Sequence, residues 1–172
     1  MKKLLIISAG LLFILASCSN KKEEGGMSDR AKKNLEASRT VAKAFSTGDA
    51  SGIDAVVADD FVDHTDHGDM GRDSLKAMIV YWKKADPTMS METLQEFAND
   101  DYTSTWYKFK GTSDGSMGPA VPYEMNAIEL VKFNKDSKAT EHWGFMEMRE
   151  MMKMMGKDAT KPPAPADTTS HM

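Results

Sequence analysis

The hydrophobic positions of this chain change period near its middle. From Ser28, the residues Leu35, Val41, Ala42 and Phe45 fall on one stripe of a helix, with Ser28 as its capping residue and Gly48 as its stop. A shorter helical run, "ASGIDAVVA", follows, and "DDFVDHT" then reads as extended, with Phe61 and the β-branched Val62 at its centre. Beyond Gly71, the residues Leu75, Met78, Ile79 and Trp82 recur at i, i+3, i+4 and i+7, which predicts a helix capped by Asp73 or Ser74 and closed by Pro87. Downstream the period becomes two. "TMSMETLQEFA" and "YTSTWYKFKGT" alternate about an "NDD" turn, and a Gly-rich loop, "GTSDGSMGPAVP", leads to "YEMNAIELVKF". "NKDSK" then turns the chain into "ATEHWGFME". Three helices followed by four strands is an α+β order, not the alternation of a doubly wound sheet, and it predicts a curved antiparallel sheet with helices on its concave side.

The ends of the chain add a location. Residues 1–17, "MKKLLIISAGLLFILAS", carry two lysines and then an apolar run too short to cross a bilayer comfortably, so they read as a signal peptide. Leu15-Ala16-Ser17-Cys18 resembles the lipobox of bacterial lipoproteins. That resemblance implies that Cys18 is acylated with palmitate or a similar chain and becomes the mature N-terminus. Cys18 is the single cysteine, so no disulfide framework exists. Ser19 favours the outer membrane over inner-membrane retention. "NKKEEGG" resembles signals that carry some lipoproteins to the cell surface, and it equally suits a soluble tether, which leaves a periplasm-facing or a surface position open in the cell envelope.

Removing Lys2 and Lys3 with the leader leaves 20 basic residues (22 less 2) against 26 acidic ones, a net charge of −6. That balance argues against nucleic acid as a partner. Residues 157–172 are rich in Pro, Ala, Thr and charge with little to bury, so they read as a disordered tail. The expected organisation is therefore a leader (1–17), a tether with lipidated Cys18 (18–27), one folded domain (28–156) and the tail (157–172).

Within the domain the stretches "FSTGD", "VADDFVDHT", "GRDSLKAMI", the Gly111 to Pro122 loop and "EHWGFME" occur in an order that resembles the SnoaL-like polyketide cyclase group of the NTF2-like superfamily. The resemblance implies a conical fold, a pocket between sheet and helices, and often a homodimer across the sheet. It also implies a small-molecule ligand, handled either by a cofactor-independent enzyme or by a non-catalytic binder.

Candidate chemistry gathers in two places. Between Asp60 and Asp73 lie five carboxylates and two histidines. His64 and His67, three apart on an extended or turning backbone, point in different directions, so no metal site is expected there. His67, Asp66 and Asp69 read as a solvated turn. His64, placed by the resemblance at the pocket mouth, is a candidate for acid/base work or for hydrogen bonding a ligand carbonyl, with a backbone-satisfied structural His as the alternative. The second place is the last strand, where alternation puts His142, Gly144 and Met146 on one face and Glu141, Trp143, Phe145 and Glu147 on the other. Either face could line the cavity. The resemblance implies a catalytic acid just after Trp143, but Gly144 stands there, and Glu147 is the nearest substitute on its own strand.

Phe61, Trp82, Trp106, Tyr123 and Met146 are the expected pocket lining, with Tyr81 and Tyr107 as further aromatics. Six methionines lie within ten residues, Met146 to Met155. Met148, Met151, Met152 and Met155 keep a helical stripe, so core packing, an apolar lid and copper(I) ligation by thioethers all stand open. Three functions follow: a lipid-anchored binder of a small, largely apolar molecule; an isomerase, cyclase or dehydratase in which His64 and His142 share acid/base work; and a copper(I)-handling lipoprotein.

Overall fold

The computed structural model describes residues 26–113, 115 and 120–154; the expected leader, Cys18, most of the tether, Met155 and the tail lie outside the described residues. Among the described residues no helix is long and apolar enough to cross a membrane.

Helix α1 (Asp29–Thr47) begins where expected, with the Ser28 hydroxyl accepting from the Ala31 N–H at 3.0 Å. It ends at Gly48, whose φ of 76° is left-handed and suits glycine. α2 (Ile53–Val56) is one turn only, because Val57 already adopts extended dihedrals and opens β1 (Val57–Thr65). A short strand β2 (Gly68–Met70), too brief to show alternation in sequence, folds back on β1 with Thr65 opposite Gly68. α3 (Arg72–Ala85) starts one residue after Gly71, which serves as N-cap without a side-chain bond, so neither Asp73 nor Ser74 caps it. Asp73 instead lies in the first turn, where a negative charge complements the helix dipole. Strands β3 (Ser90–Ala98), β4 (Tyr102–Thr112), β5 (Pro122–Phe133) and β6 (Ala139–Met146) follow, then α4 (Met148–Met154).

The six strands form one curved, unclosed sheet in the order β2-β1-β6-β5-β4-β3. All neighbours are antiparallel except β1 and β6, which run parallel and bring Asp63 beside His142. Cross-strand neighbours share a face. The register therefore sorts the long strands into a concave side, which holds Thr103, Thr105, Tyr107, Met125, Ala127, Glu129, Val131 and His142, and an outer side. α1 and α3 pack on the concave side. The apolar core occupies one half of it, with Ile53, Val57, Phe61, Leu75, Ile79, Phe133 and Ala139 packed against Ala37 and Ala44. α1 approaches the other half through polar contacts: Ser38 and Thr103 hydroxyls bond at 2.7 Å, and Asn34 Nδ2 donates to the carbonyls of Asn99 and Asp100.

One buried carboxylate ties the α3 exit to the sheet. Asp86 accepts from the Thr88 N–H (2.9 Å) and hydroxyl (2.5 Å), the Thr112 N–H (3.0 Å) and the Tyr123 hydroxyl (2.9 Å). Burial pushes its pKa up, but those donors outweigh burial and leave it below the usual carboxylate range. Tyr123, expected to line the pocket, is committed to this knot, and burial together with Asp86 raises its phenol pKa. Gly111 makes the knot possible, since a Cβ there would stand 2.0 Å from Asp86 Oδ2 and 2.6 Å from the Tyr123 oxygen. Gly111→Ala and Asp86→Ala are each expected to cost about 2–4 kcal/mol in urea unfolding. Because both break the same contacts, the double variant should lose clearly less than the sum. Full additivity would mean that the knot does not act as a unit. With the Asp86 pKa depressed in the folded state, its contribution is present above the ordinary carboxylate range and falls away on acidification.

Candidate functional site

The alternation of β6 is resolved by its partners. His142 faces inward: its Nδ1 lies 2.7 Å from Asp63 Oδ1, and its Nε2 is in direct hydrogen-bond contact with Glu129 Oε2. Asp63 shares its face with Phe61 two residues earlier and is 3 % exposed. Glu129 stands on β5 between the inward-facing Ala127 and Val131. Three strands thus build a chain of carboxylate, imidazole and carboxylate on the concave side. Burial pulls the His142 pKa down, but the hydrogen bonds and negative charges of Asp63 and Glu129 outweigh it and push the ring up to about 10. At neutral pH the ring is an imidazolium whose two N–H groups both donate to carboxylates.

Around this chain the inner face stays polar. Glu96, Thr105, Glu129 and Gly144 form one row across β3, β4, β5 and β6. Arg39 from α1 meets the Glu96 carboxylate, with its Nη2 2.6 Å from Oε2 and its Nε 3.2 Å from both oxygens. Tyr107, buried in the next row, is hydrogen-bonded with Thr105; burial, with the nearby charges of Glu129 and Glu96, pushes its phenol up to about 12, so it stays protonated. Gly144 and Met146 are exposed, which leaves this end of the concave face open to solvent.

Several expectations are corrected by this geometry. His64 does not join His142. The register pairs it with Trp143 on the outer face, where its ring stacks on that indole at a centroid distance of 4.8 Å. Its Nδ1 lies 2.9 Å from Asp69 and its Nε2 3.3 Å from Glu141, and the Asp69 hydrogen bond leads in raising its pKa. Consecutive strand residues point to opposite faces, so Asp63, not His64, is the inward member of "DFVDH". The Glu147 carboxylate is not joined to His142; it accepts from the Asn126 backbone and side-chain amides at 2.9 and 3.1 Å.

Of the expected pocket lining, Phe61 is buried in the apolar core and Met146 stands at the open end. Trp82 is at the exposed margin of α3, and Trp106 is on the outer face, 46 % exposed. The outer side also exposes Phe97, Tyr102, Ile128 and Phe145. An open hollow of about 450 Å³ lies there among Phe97, Tyr102, Ser104 and Leu130. In α4, Met148 is exposed while Met151 and Met152 are half-buried.

The residues missed by the sequence reading are Asp63 and Glu129. Each carried a signal: an acid two residues from Phe61 on the same strand face, and a lone acid in the apolar run "NAIELV". In an NMR titration, the His142 ring is expected to stay protonated through neutral pH and to lose its proton near pH 10. Because the folded pKa is raised above the ordinary 6.5, the stability from this ion chain is complete below about 6.5 and is lost as pH rises through about 10. A ring that titrates near 6.5 would rule out the paired imidazolium.

The fold is shared with solved structures. The chain superposes on a protein from Jannaschia sp. CCS1 described as a SnoaL-like polyketide cyclase, with a TM-score of 0.66 and 14 % identity over 77 % of this chain and 98 % of that one. AclR from Streptomyces galilaeus, described as a hydroxylase, gives 0.63 and 20 % over 77 % and 91 %. IdmH from Streptomyces antibioticus, described as a polyketide cyclase, gives 0.61 and 19 % over 72 % and 98 %. At these identities the likeness is one of fold. No curated protein matches the chain in sequence. The sequence profile of the SnoaL-like polyketide cyclases, however, matches residues 35–154, which spans most of α1, the other three helices, the whole sheet and every member of the inward ion chain, and so this chain belongs to the SnoaL-like polyketide cyclase family.

Proposed function

We propose that this chain is a lipid-anchored domain of the cell envelope that takes a small, largely apolar molecule at the open, polar end of its concave face. The observation that carries the reading is the chain Asp63–His142–Glu129, buried at Asp63 and half-buried at His142 and Glu129. An ion cluster at the edge of a core is no better for stability than apolar residues of the same volume, so its presence beside the exposed Gly144 and Met146 favours a role toward a ligand. The surrounding groups suit a molecule with one polar handle, such as a carbonyl: a protonated Tyr107 hydroxyl and paired carboxylates next to apolar Met125, Ala127 and Met146. A second reading, turnover by proton transfer without a cofactor, is favoured by the same cluster, since a carboxylate held by an imidazolium at an open site is suited to moving a proton.

The anchoring rests on "LASC" at residues 15–18 and the charge-poor leader before it. The outer sheet face supports a homodimer, because Phe97, Trp106, Ile128 and Phe145 leave it apolar and exposed.

Two experiments test these points. Cells expressing the chain and fed an alkyne analogue of palmitate should label it, and Cys18→Ala should abolish the label; an unlabelled parent chain would end the lipoprotein reading. Native mass spectrometry of the chain purified from its own host should give a dimer carrying a small molecule. Gly144→Trp, which puts a bulky side chain against Glu129, should release that molecule. A ligand-free mass, with no movement of the His142 ring signals on adding a set of small apolar ketones, would sink the binding reading.

A further inference from the structure

We infer that Glu129 is the reacting carboxylate of this site, standing on β5 in the place where the strand-end acid after Trp143 is missing from β6. The inference rests on the small-molecule reading above and says which atom would do the work. Four observations carry it.

Glu129 and Gly144 are direct neighbours across the β5–β6 ladder. A Cβ at position 144 would sit 3.3 Å from Glu129 Oε2 and 3.7 Å from Oε1, so the Glu129 carboxylate lies over the bare backbone of Gly144. An acid on either residue would deliver its oxygens to nearly the same point, and glycine at 144 is what gives the longer Glu side chain room to reach it.

The other two members of the ion chain are unsuited to touch a substrate. His142 has both ring nitrogens engaged by carboxylates, and Asp63 is 4 % exposed in its side chain. Glu129 has 24 % of its side chain exposed and a second oxygen, Oε1, that does not hold His142. Its position is set from behind by the imidazolium, which Asp63 in turn fixes.

The chemistry follows from charge. Two carboxylates against one imidazolium leave the chain with a net negative charge, and the Arg39 guanidinium is already met by Glu96. The site therefore suits an uncharged carbon acid over an anionic one. Glu129 would take a proton from the carbon next to a carbonyl. The C–H electron pair would move into the C–C bond, and the carbonyl π pair onto oxygen as an enolate. Donation of that proton to a different carbon of a conjugated enolate completes an isomerisation, and attack of the enolate carbon on a second carbonyl, whose oxygen then takes the proton from Glu129, completes a ring closure. No oxidant or cofactor enters either balance.

The test uses 5-nitrobenzisoxazole, an uncharged probe that any well-placed base opens by taking its ring C–H proton as the N–O bond breaks to a coloured phenolate. The full chain should open it faster than buffer. Glu129→Gln, which keeps an oxygen for His142, should lose about 100-fold or more of that enhancement, and Glu147→Gln should lose none. Glu129→Gly alone should be inactive, and adding Gly144→Asp to it should restore at least a tenfold enhancement. Probe binding is followed separately by saturation-transfer NMR, and folding by circular dichroism, so that Glu129→Gln decides the matter if the double variant does not fold. Wild-type activity retained in Glu129→Gln would overturn the role of Glu129 while leaving the small-molecule site intact. Binding without turnover by the parent chain would do the same. Neither binding nor turnover would overturn both.

Discussion

The meeting of His142 with Asp63 depends on the one parallel junction in the sheet. β1 is separated from β6 by β2, α3, β3, β4 and β5, yet it lies beside it in a register that sets Asp63 against His142. A buried carboxylate is tolerated only with a charged or hydrogen-bonding partner, and here the partner is an imidazolium locked between two acids. Removing His142 would leave both carboxylates without their counter-charge near the core. The same contact orients Glu129, so the polar half of the concave face is organised from the β1–β6 joint outward.

The concave face is divided. Its apolar half is closed by α2, α3 and the far end of α1, with Ile53, Phe61 and Ile79 filling the space, and it offers no room for chemistry. Its polar half is roofed by α1 through small and polar residues, Asn34 and Ser38 among them, and opens at Gly144 and Met146. The Asp86 knot holds the α3 exit to the β4–β5 end of the sheet, with Gly111 as its clearance. A rigid frame of this kind places three charged side chains from separate strands more firmly than loops could.

The outer face reverses the usual order of a half-buried sheet. Trp106, Ile128 and Phe145 stand in one row at an exposed surface, and His64 stacks on Trp143 nearby within a net of Asp69, Glu141 and Lys132. Of the aromatic residues that look like a ligand lining in the sequence, Trp106 belongs to this surface, while Phe61 lies in the core and Tyr123 in the Asp86 knot. Local spacing cannot separate the two, because an alternating strand with apolar residues at both parities reads the same from either side.

Much of the architecture was legible locally. Ser28 and Gly48 bound α1, the i, i+3, i+4, i+7 run names the buried stripe of α3, and "NDD" turns β3 into β4, because capping, helical periodicity and turn chemistry act over a few residues. The family resemblance was carried by the order of such segments. The sequence likewise determined that His142 and Gly144 share a face, since alternation is a property of one strand. Which face looks inward was decided by tertiary structure alone, as was the partnership of Asp63, His142 and Glu129, whose members lie 13 to 79 positions apart in pairs. The physical reason is that strand register is a non-local quantity. It is set where sheet, helices and buried charge are satisfied together, and a single strand carries no record of what will lie beside it.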